Sequence, residues 1–285
     1  MSSNRSVVVM GLPGSGKTTY LAALWHLVSE GEIDSKLKYV SLRAGNAEHL
    51  HEIATLWRDA KRQERTSVSG DKLVSMILQA EGGEPQTVTF PDIAGEAFRQ
   101  MWELRECDET VVSWLKEPGV LLFIHADKVS VPKWVVQEKL LLEDLEVERE
   151  QMEVVDWSPS LAPTQVQLTD LLQSMQSESL DVGPRRLGII LSAWDKAVGR
   201  GLSPEEYLAK RMPMFSQFLA HGLDSRWEVR IYGVSAQGGD YDSKTNALEE
   251  AKRLREVNTP SERILVVYAG AESHDLTEPL QWLLM

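Results

Sequence analysis

The stretch Gly11-Leu12-Pro13-Gly14-Ser15-Gly16-Lys17-Thr18 combines glycines, a lysine and a hydroxyl in the pattern that holds a phosphate chain. Its glycines let the backbone curl so that successive amides point inward at phosphate oxygens. A helix starting at Lys17 would add its positive N-terminal end. In this chemistry Lys17 bridges the outer phosphates and Thr18 places its hydroxyl on Mg²⁺. The phosphate-contacting set is therefore Gly11, Pro13, Gly14, Ser15, Gly16, Lys17, Thr18 and Thr19.

A second metal-directed group is expected where a neighbouring strand ends. "TVTFPDIAGE" supplies Asp92 at a strand end, with Gly95 following at D-x-x-G spacing. Asp92 would hold Mg²⁺, usually through water, while the Gly95 amide reaches a γ-phosphate. An aspartate before a turn is common by itself. It gains meaning here because it follows a phosphate-binding loop.

The elements that must position these groups are legible from periodicity. "SVVVMG" is a continuous β-branched run, as expected of a buried parallel strand. After the glycine loop, "KTTYLAALWHLVSE" repeats Leu21, Leu24, Trp25 and Val28 at helical spacing. A strand "LKYVSLRA" and a helix "AEHLHEIATLWRDAKR" follow, and the strands around Gly82-Gly83 read as a hairpin. "GVLLFIHAD", "RRLGIILSAWD" and "EVRIYGVSAQ" are further buried strands, with "RILVVYAG" a late one. "LTEPLQWLLM" reads as a closing helix with Thr277 as N-cap and Pro279 in its first turn. The pattern predicts an α/β, three-layer P-loop NTPase fold with a mainly parallel sheet and one antiparallel strand. Residues 1–285 read as a single domain carrying an inserted acidic helical segment at about 129–180.

Bulk properties narrow the function. A formal net charge of −13 argues against a nucleic-acid surface, which needs a basic face. One cysteine, Cys107, excludes an intramolecular disulfide and a cysteine-rich zinc site. The apolar runs are too short for a signal peptide or membrane span, so a cytoplasmic location is expected. His49 and His51 stand two apart on a predicted helix and face different ways, and no H-E-x-x-H or G-x-S-x-G pattern is present. Most of the nine tryptophans are expected as core or interface anchors.

Taken together, "GLPGSGKT" and "DIAGE" resemble the first and third signature motifs of the Ras-like, translation-factor-related P-loop GTPases. "GVSAQG" is similar to the fifth, whose Ser235-Ala236 pair, with Gln237 beside it, would line the base pocket, with backbone amides near the guanine carbonyl. "SAWDK" stands where the fourth motif, Asn-Lys-x-Asp, is expected. The resemblance implies that Asp195, next to Lys196, accepts hydrogen bonds from guanine, with Ser192 and Ala193 in place of the usual Asn and Lys. A carboxylate favours guanine because N1–H and N2–H₂ are donors, whereas adenine offers an acceptor at N1.

The same resemblance implies a mobile threonine that joins Mg²⁺, for which Thr66 in "RQERTSV" is the choice. Arg65, with Arg62, is a possible built-in arginine finger or simply a solvated loop cation. Glu96 stands at the position of the water-orienting glutamine, with Arg99 placed to pair with it on a helix. At finer resolution, "DIAGE", "SAWDK" and "HDLTEPLQWLL" resemble the bacterial double-GTPase families of conflict and defence gene clusters. That implies a Mg²⁺-dependent GTP/GDP switch acting through co-encoded partner proteins, with a nucleotide-dependent dimer as one form. A nucleotide-dependent binding module with little turnover, and a P-loop ATPase or kinase, are the rival readings.

Overall fold

The computed structural model describes residues 6–62, 73–91, 95–132, 136, 156–199, 201–243 and 246–285. Strands β1 (Val7–Gly11), β2 (Leu37–Ala44), β3 (Leu73–Ala80), β4 (Gln86–Pro91) and β5 (Gly119–His125) form the first part of the chain. Interleaved with them are α1 (Lys17–Glu30), α2 (Ala47–Arg58), α3 (Gly95–Leu104) and α4 (Glu109–Leu115). Then come α5 (Thr164–Ser174), β6 (Arg185–Ser192), α6 (Asp195–Val198), α7 (Pro204–Arg211) and α8 (Pro213–His221). β7 (Trp227–Ser235), α9 (Glu249–Arg255), β8 (Leu265–Tyr268), β9 (Ala271–Ser273) and α10 (Thr277–Leu284) close the fold.

The main sheet runs β1-β5-β6-β7-β8-β9, and its first four strands are parallel. β1, β5 and β6 are buried along nearly their whole length, which is why they read as apolar runs, whereas β7 carries exposed Glu228 and half-buried Arg230 in its first half. Their side chains alternate between two cores. Val7 and Val9 join the cluster built on α1, α2 and α10, while Val8 and Met10 join the one built on α3, α5, α7 and α8. Leu121 and Phe123 of β5 fall in the first cluster, Leu122 and Ile124 in the second. Helix, sheet and helix thus form the expected three layers.

The antiparallel part is larger than the one expected strand. β2, β3 and β4 form their own three-stranded antiparallel sheet, with β4 running beside β1. The hairpin turn lies at Gly82-Gly83, as its glycines suggest. The late strand β8 is also antiparallel to β7 and turns straight into β9. Neither β8 nor β9 is long enough for its direction to be read from periodicity.

One further difference has a local cause. Thr277 does not cap α10 with its own side chain; it is the first helical residue. Asp275 does that work, its Oδ1 accepting from Thr277 N at 2.8 Å and from Thr277 Oγ1 at 2.6 Å. A carboxylate at a helix start gains from the partial positive charge there, which a hydroxyl does not. The segment at 129–180 is described in part. Its later part, α5, is integral to the core through Leu168, Leu171 and Leu172. Positions 133–135 and 137–155, which include most of the acidic stretch, lie outside the described residues.

Of the tryptophans, Trp25, Trp57, Trp194, Trp227 and Trp282 are buried, as expected of anchors. Trp157 is 73% exposed. No helix among the described residues is long and apolar enough to cross a membrane.

Candidate functional site

Register brings the functional segments to one edge of the sheet. Gly11 pairs with Phe123, His125 with Ser192, and Ser192 with Val234. The C-terminal ends of β1, β5, β6 and β7 therefore lie side by side, where ligands of open α/β sheets bind. The glycine loop leaves the first of these ends and the two base-directed segments leave the third and fourth.

The loop from Leu12 to Gly16 connects β1 to α1, so the helix N-terminus faces the concavity that the amides form. Gly16 has φ +97°, and a Cβ there would stand 2.9 Å from Ser192 Oγ. Only glycine meets both demands. Lys17 Nζ curls back over the loop and donates to Gly11 O at 2.7 Å and Leu12 O at 3.2 Å. These are carbonyl acceptors in the place where phosphate oxygens would compete for the ammonium. Pro13 and Gly14 are exposed, Ser15 is buried, and Thr18 and Thr19 are half-buried. The Thr18 hydroxyl makes no hydrogen bond among the described residues.

Ser192, where the fourth motif was expected to carry asparagine, is buried, and its Oγ donates to Ser15 O at 2.6 Å. This bond ties the phosphate loop to the end of β6. Ala193 then takes φ +53°, a left-handed conformation uncommon outside glycine. That bend turns the chain out of β6 and into α6, whose first residue is Asp195. Trp194 is 1% exposed and packs on Gly233, where a Cβ would come within 2.5 Å of its ring. It also meets Tyr207 edge-on at 5.4 Å. Trp194 is thus a packing residue that locks the turn bearing Asp195.

Asp195 accepts from Ser235 Oγ at 2.6 Å, and Ser235 Oγ in turn accepts from Gly238 N at 3.1 Å. The segments that carry Asp195 and Ser235 therefore meet. Lys196 Nζ donates to Asp240 Oδ2 at 2.8 Å and lies 3.9 Å from Asp195 Oδ2. The Asp240 hydrogen bond holds the Lys196 ammonium above its ordinary pKa. Ala236 is buried and Gln237 half-buried beside it.

Other expected site residues fall partly or wholly beyond description. Arg65, Thr66 and Asp92 lie outside the described residues. Gly95 opens α3, and Glu96 and Arg99 lie within it, but their side chains are outside what is described. Arg62 is exposed, and its backbone N donates to Asp242 O at 2.7 Å.

Two contributors were not singled out by sequence reasoning. His125 ends β5 and lines a cavity of about 90 Å³ with Leu12, Pro13, Gly14, Ser15 and Lys128. Burial first, then the Lys128 charge, lowers its pKa against the opposing pull of Asp127 and Asp195. Its imidazole therefore favours the neutral form beside the loop. That cavity suits a few water molecules; a nucleotide needs several times the volume. Trp57 is the other: its indole N–H reaches Ala236 O at 2.7 Å. A histidine after an apolar run was the available signal for the first, and nothing local could have announced the second.

The donor set suits a triphosphate with a hard cation. Thr18 offers an oxygen ligand, and the aspartate and threonine expected beside it are also oxygen donors, the kind Mg²⁺ selects. Among solved structures, the chain is similar to the S. cerevisiae Ski7 GTPase-like domain bound to GTP. Identity is 15% over 86% of this chain and 46% of that one, with a TM-score of 0.42. It is similar to nucleolar GTP-binding protein 1 of Plasmodium falciparum at 10% identity, over 90% and 84% of the two chains, with a TM-score of 0.39. It is also similar to the signal recognition particle receptor SRb-GTP/SRX complex of Chaetomium thermophilum. There the identity is 14%, over 90% and 99% of the chains, with a TM-score of 0.35. No curated protein matches the chain. The family model Double-GTPase 1 matches residues 8–283, nearly the whole length, and the chain belongs to that family.

Proposed function

We propose that this protein is a Mg²⁺-dependent GTP-binding and GTP-hydrolysing switch that acts through partner proteins in a bacterial conflict system. One observation carries the reading. Asp195, braced by Ser235 at 2.6 Å, stands at the same sheet edge as a phosphate loop that Ser192 ties to β6. A base-reading carboxylate and a phosphate cradle on one rigid edge can hold the two ends of one nucleotide.

In this reading the amides from Pro13 to Thr18 cradle the phosphates, and Lys17 exchanges its carbonyl acceptors for phosphate oxygens. Thr18, with Thr66 and Asp92, would hold Mg²⁺, which neutralises charge on the phosphates when bound. The Gly95 amide, at the start of α3, serves the γ-phosphate. Loss of that phosphate on hydrolysis releases the segments it held, which is the switch. Glu96 and Arg65 are the side chains proposed to orient water and offset transition-state charge.

A second reading, a binding module with little turnover, is favoured by Ala193 where the Ras-like fourth motif carries lysine and by Glu96 where many Ras-like GTPases carry glutamine. Single-turnover hydrolysis of GTP, with Mg²⁺ and with chelator, separates the two. Mg²⁺-dependent phosphate release that disappears in Lys17→Ala supports the switch. Tight binding with no release supports the module.

A further inference from the structure

The loop that follows β7 is gripped from behind by the C-terminal end of α2. Trp57 is 2% exposed, and its Nε1–H donates to Ala236 O at 2.7 Å. Its ring is held firmly. The Arg263 guanidinium lies 4.4 Å over it, and His26 of α1 packs against it at 4.9 Å. Arg263 also donates to Trp57 O at 3.3 Å and to Arg58 O at 3.1 Å, closing a ring of contacts around the indole. Further along the loop, Asp242 N donates to Ala60 O at 3.0 Å, and Arg62 N donates back to Asp242 O at 2.7 Å.

This grip has a directional consequence. A trans peptide unit places its carbonyl and the following N–H on opposite sides. Drawing the Ala236 carbonyl toward Trp57 therefore turns the Gln237 N–H away from it. That N–H has no protein acceptor among the described residues. It lies two positions from Ser235, whose hydroxyl braces Asp195.

We infer that Trp57 is a positioning residue for base recognition: through Ala236 it aims the Gln237 amide at an acceptor on the purine, the 6-oxo group of guanine. The inference rests on the reading that the Asp195–Ser235 corner holds the base with backbone amides of this loop near the guanine carbonyl; what is new is the part played by Trp57. It adds a residue from α2, far away in sequence, as the cause of one part of the selectivity.

The test compares GDP with 6-thio-GDP, measured by competition on the full chain. The thio nucleotide keeps the N1–H and N2–H₂ donors that Asp195 would read but presents a weaker acceptor at position 6. Wild type is expected to prefer GDP by about tenfold, the size of one well-made buried hydrogen bond. Trp57→Phe keeps a ring against Arg263 and His26 but removes the N–H, and should bring the preference to within about twofold. Benzothienylalanine at position 57 keeps the bicyclic shape without the N–H and gives the same expectation should the phenylalanine variant fold poorly. A preference unchanged in both variants, even with both affinities lowered equally, overturns the inference while leaving the base site intact. Wild type that binds GDP no better than ADP sinks the base-site reading and this inference with it.

Discussion

Ser192 Oγ donates to Ser15 O at 2.6 Å, so the end of β6 is tied directly to the phosphate loop. The asparagine that the resemblance to Ras-like GTPases led us to expect is absent, yet its place is taken by a side chain that still reaches the loop. Both partners are buried, which makes the bond costly to lose, because an unsatisfied buried carbonyl costs about 1–3 kcal/mol. Ser192→Ala is expected to weaken GDP binding by about tenfold by the same estimate. Calorimetric titration measures it, with far-UV circular dichroism showing that the fold survives.

Gly16→Ala tests the loop from the other side. The new methyl would stand 2.9 Å from Ser192 Oγ on a backbone with φ +97°. Strain and clash both act on the amides proposed to face phosphate, so nucleotide binding should fall more than a hundredfold, roughly 3 kcal/mol or more. The secondary-structure content should remain, since the loop belongs to no strand or helix.

Removing the hydroxyl in Ser235→Ala takes away the donor to Asp195 and the acceptor for Gly238 N together. The expected result is a GDP affinity lower by about fivefold to tenfold and a smaller ratio of GDP to ADP affinity. A stability effect alone would lower both nucleotides equally.

The sequence made the site's local parts legible and left its long-range supports hidden. The strand, glycine loop and helix around Lys17 announced themselves because each is specified within a few residues. The Gly82-Gly83 hairpin was readable for the same reason. Asp195 and Ser235 could be matched to motifs, and their contact then follows from β6 pairing with β7. The separate β2-β3-β4 sheet was not readable, because alternation shows a strand but not its partners. Trp57 and Ala236 are 179 positions apart, and no periodicity links them. The cap at Asp275 was missed because threonine and aspartate both signal a helix start, and only the backbone decides which one serves.

A pH dependence follows from the far side of the same helix layer. His26 lies 3.4 Å from Glu32, and Ser261 donates to Glu32 from its Oγ at 2.8 Å. Burial lowers the His26 pKa from its ordinary 6.5, outweighing the pull of Glu32. The unfolded chain therefore binds this proton more readily than the folded one. The associated stability is complete above 6.5 and is lost as the pH falls below that value. For Glu32, burial would raise the pKa, but the Ser261 hydrogen bonds and His26 together lower it. Its stability is present above the ordinary value of 4.5 and is lost as the pH falls through the lowered one. Urea unfolding should show stability declining from about pH 7 to about pH 5, with a shallower decline in His26→Phe. An equal decline in both proteins would assign the effect to other groups.

The central claim is that Asp195 reads the base. Competition among GTP, ATP and XTP, on wild type and on Asp195→Asn, tests it most directly. Wild type should prefer GTP, and the asparagine variant should turn toward XTP, whose 2-oxo group accepts the donor that the new amide presents. A variant that keeps the wild-type order of affinities would remove Asp195 from the nucleotide pocket and contradict the account.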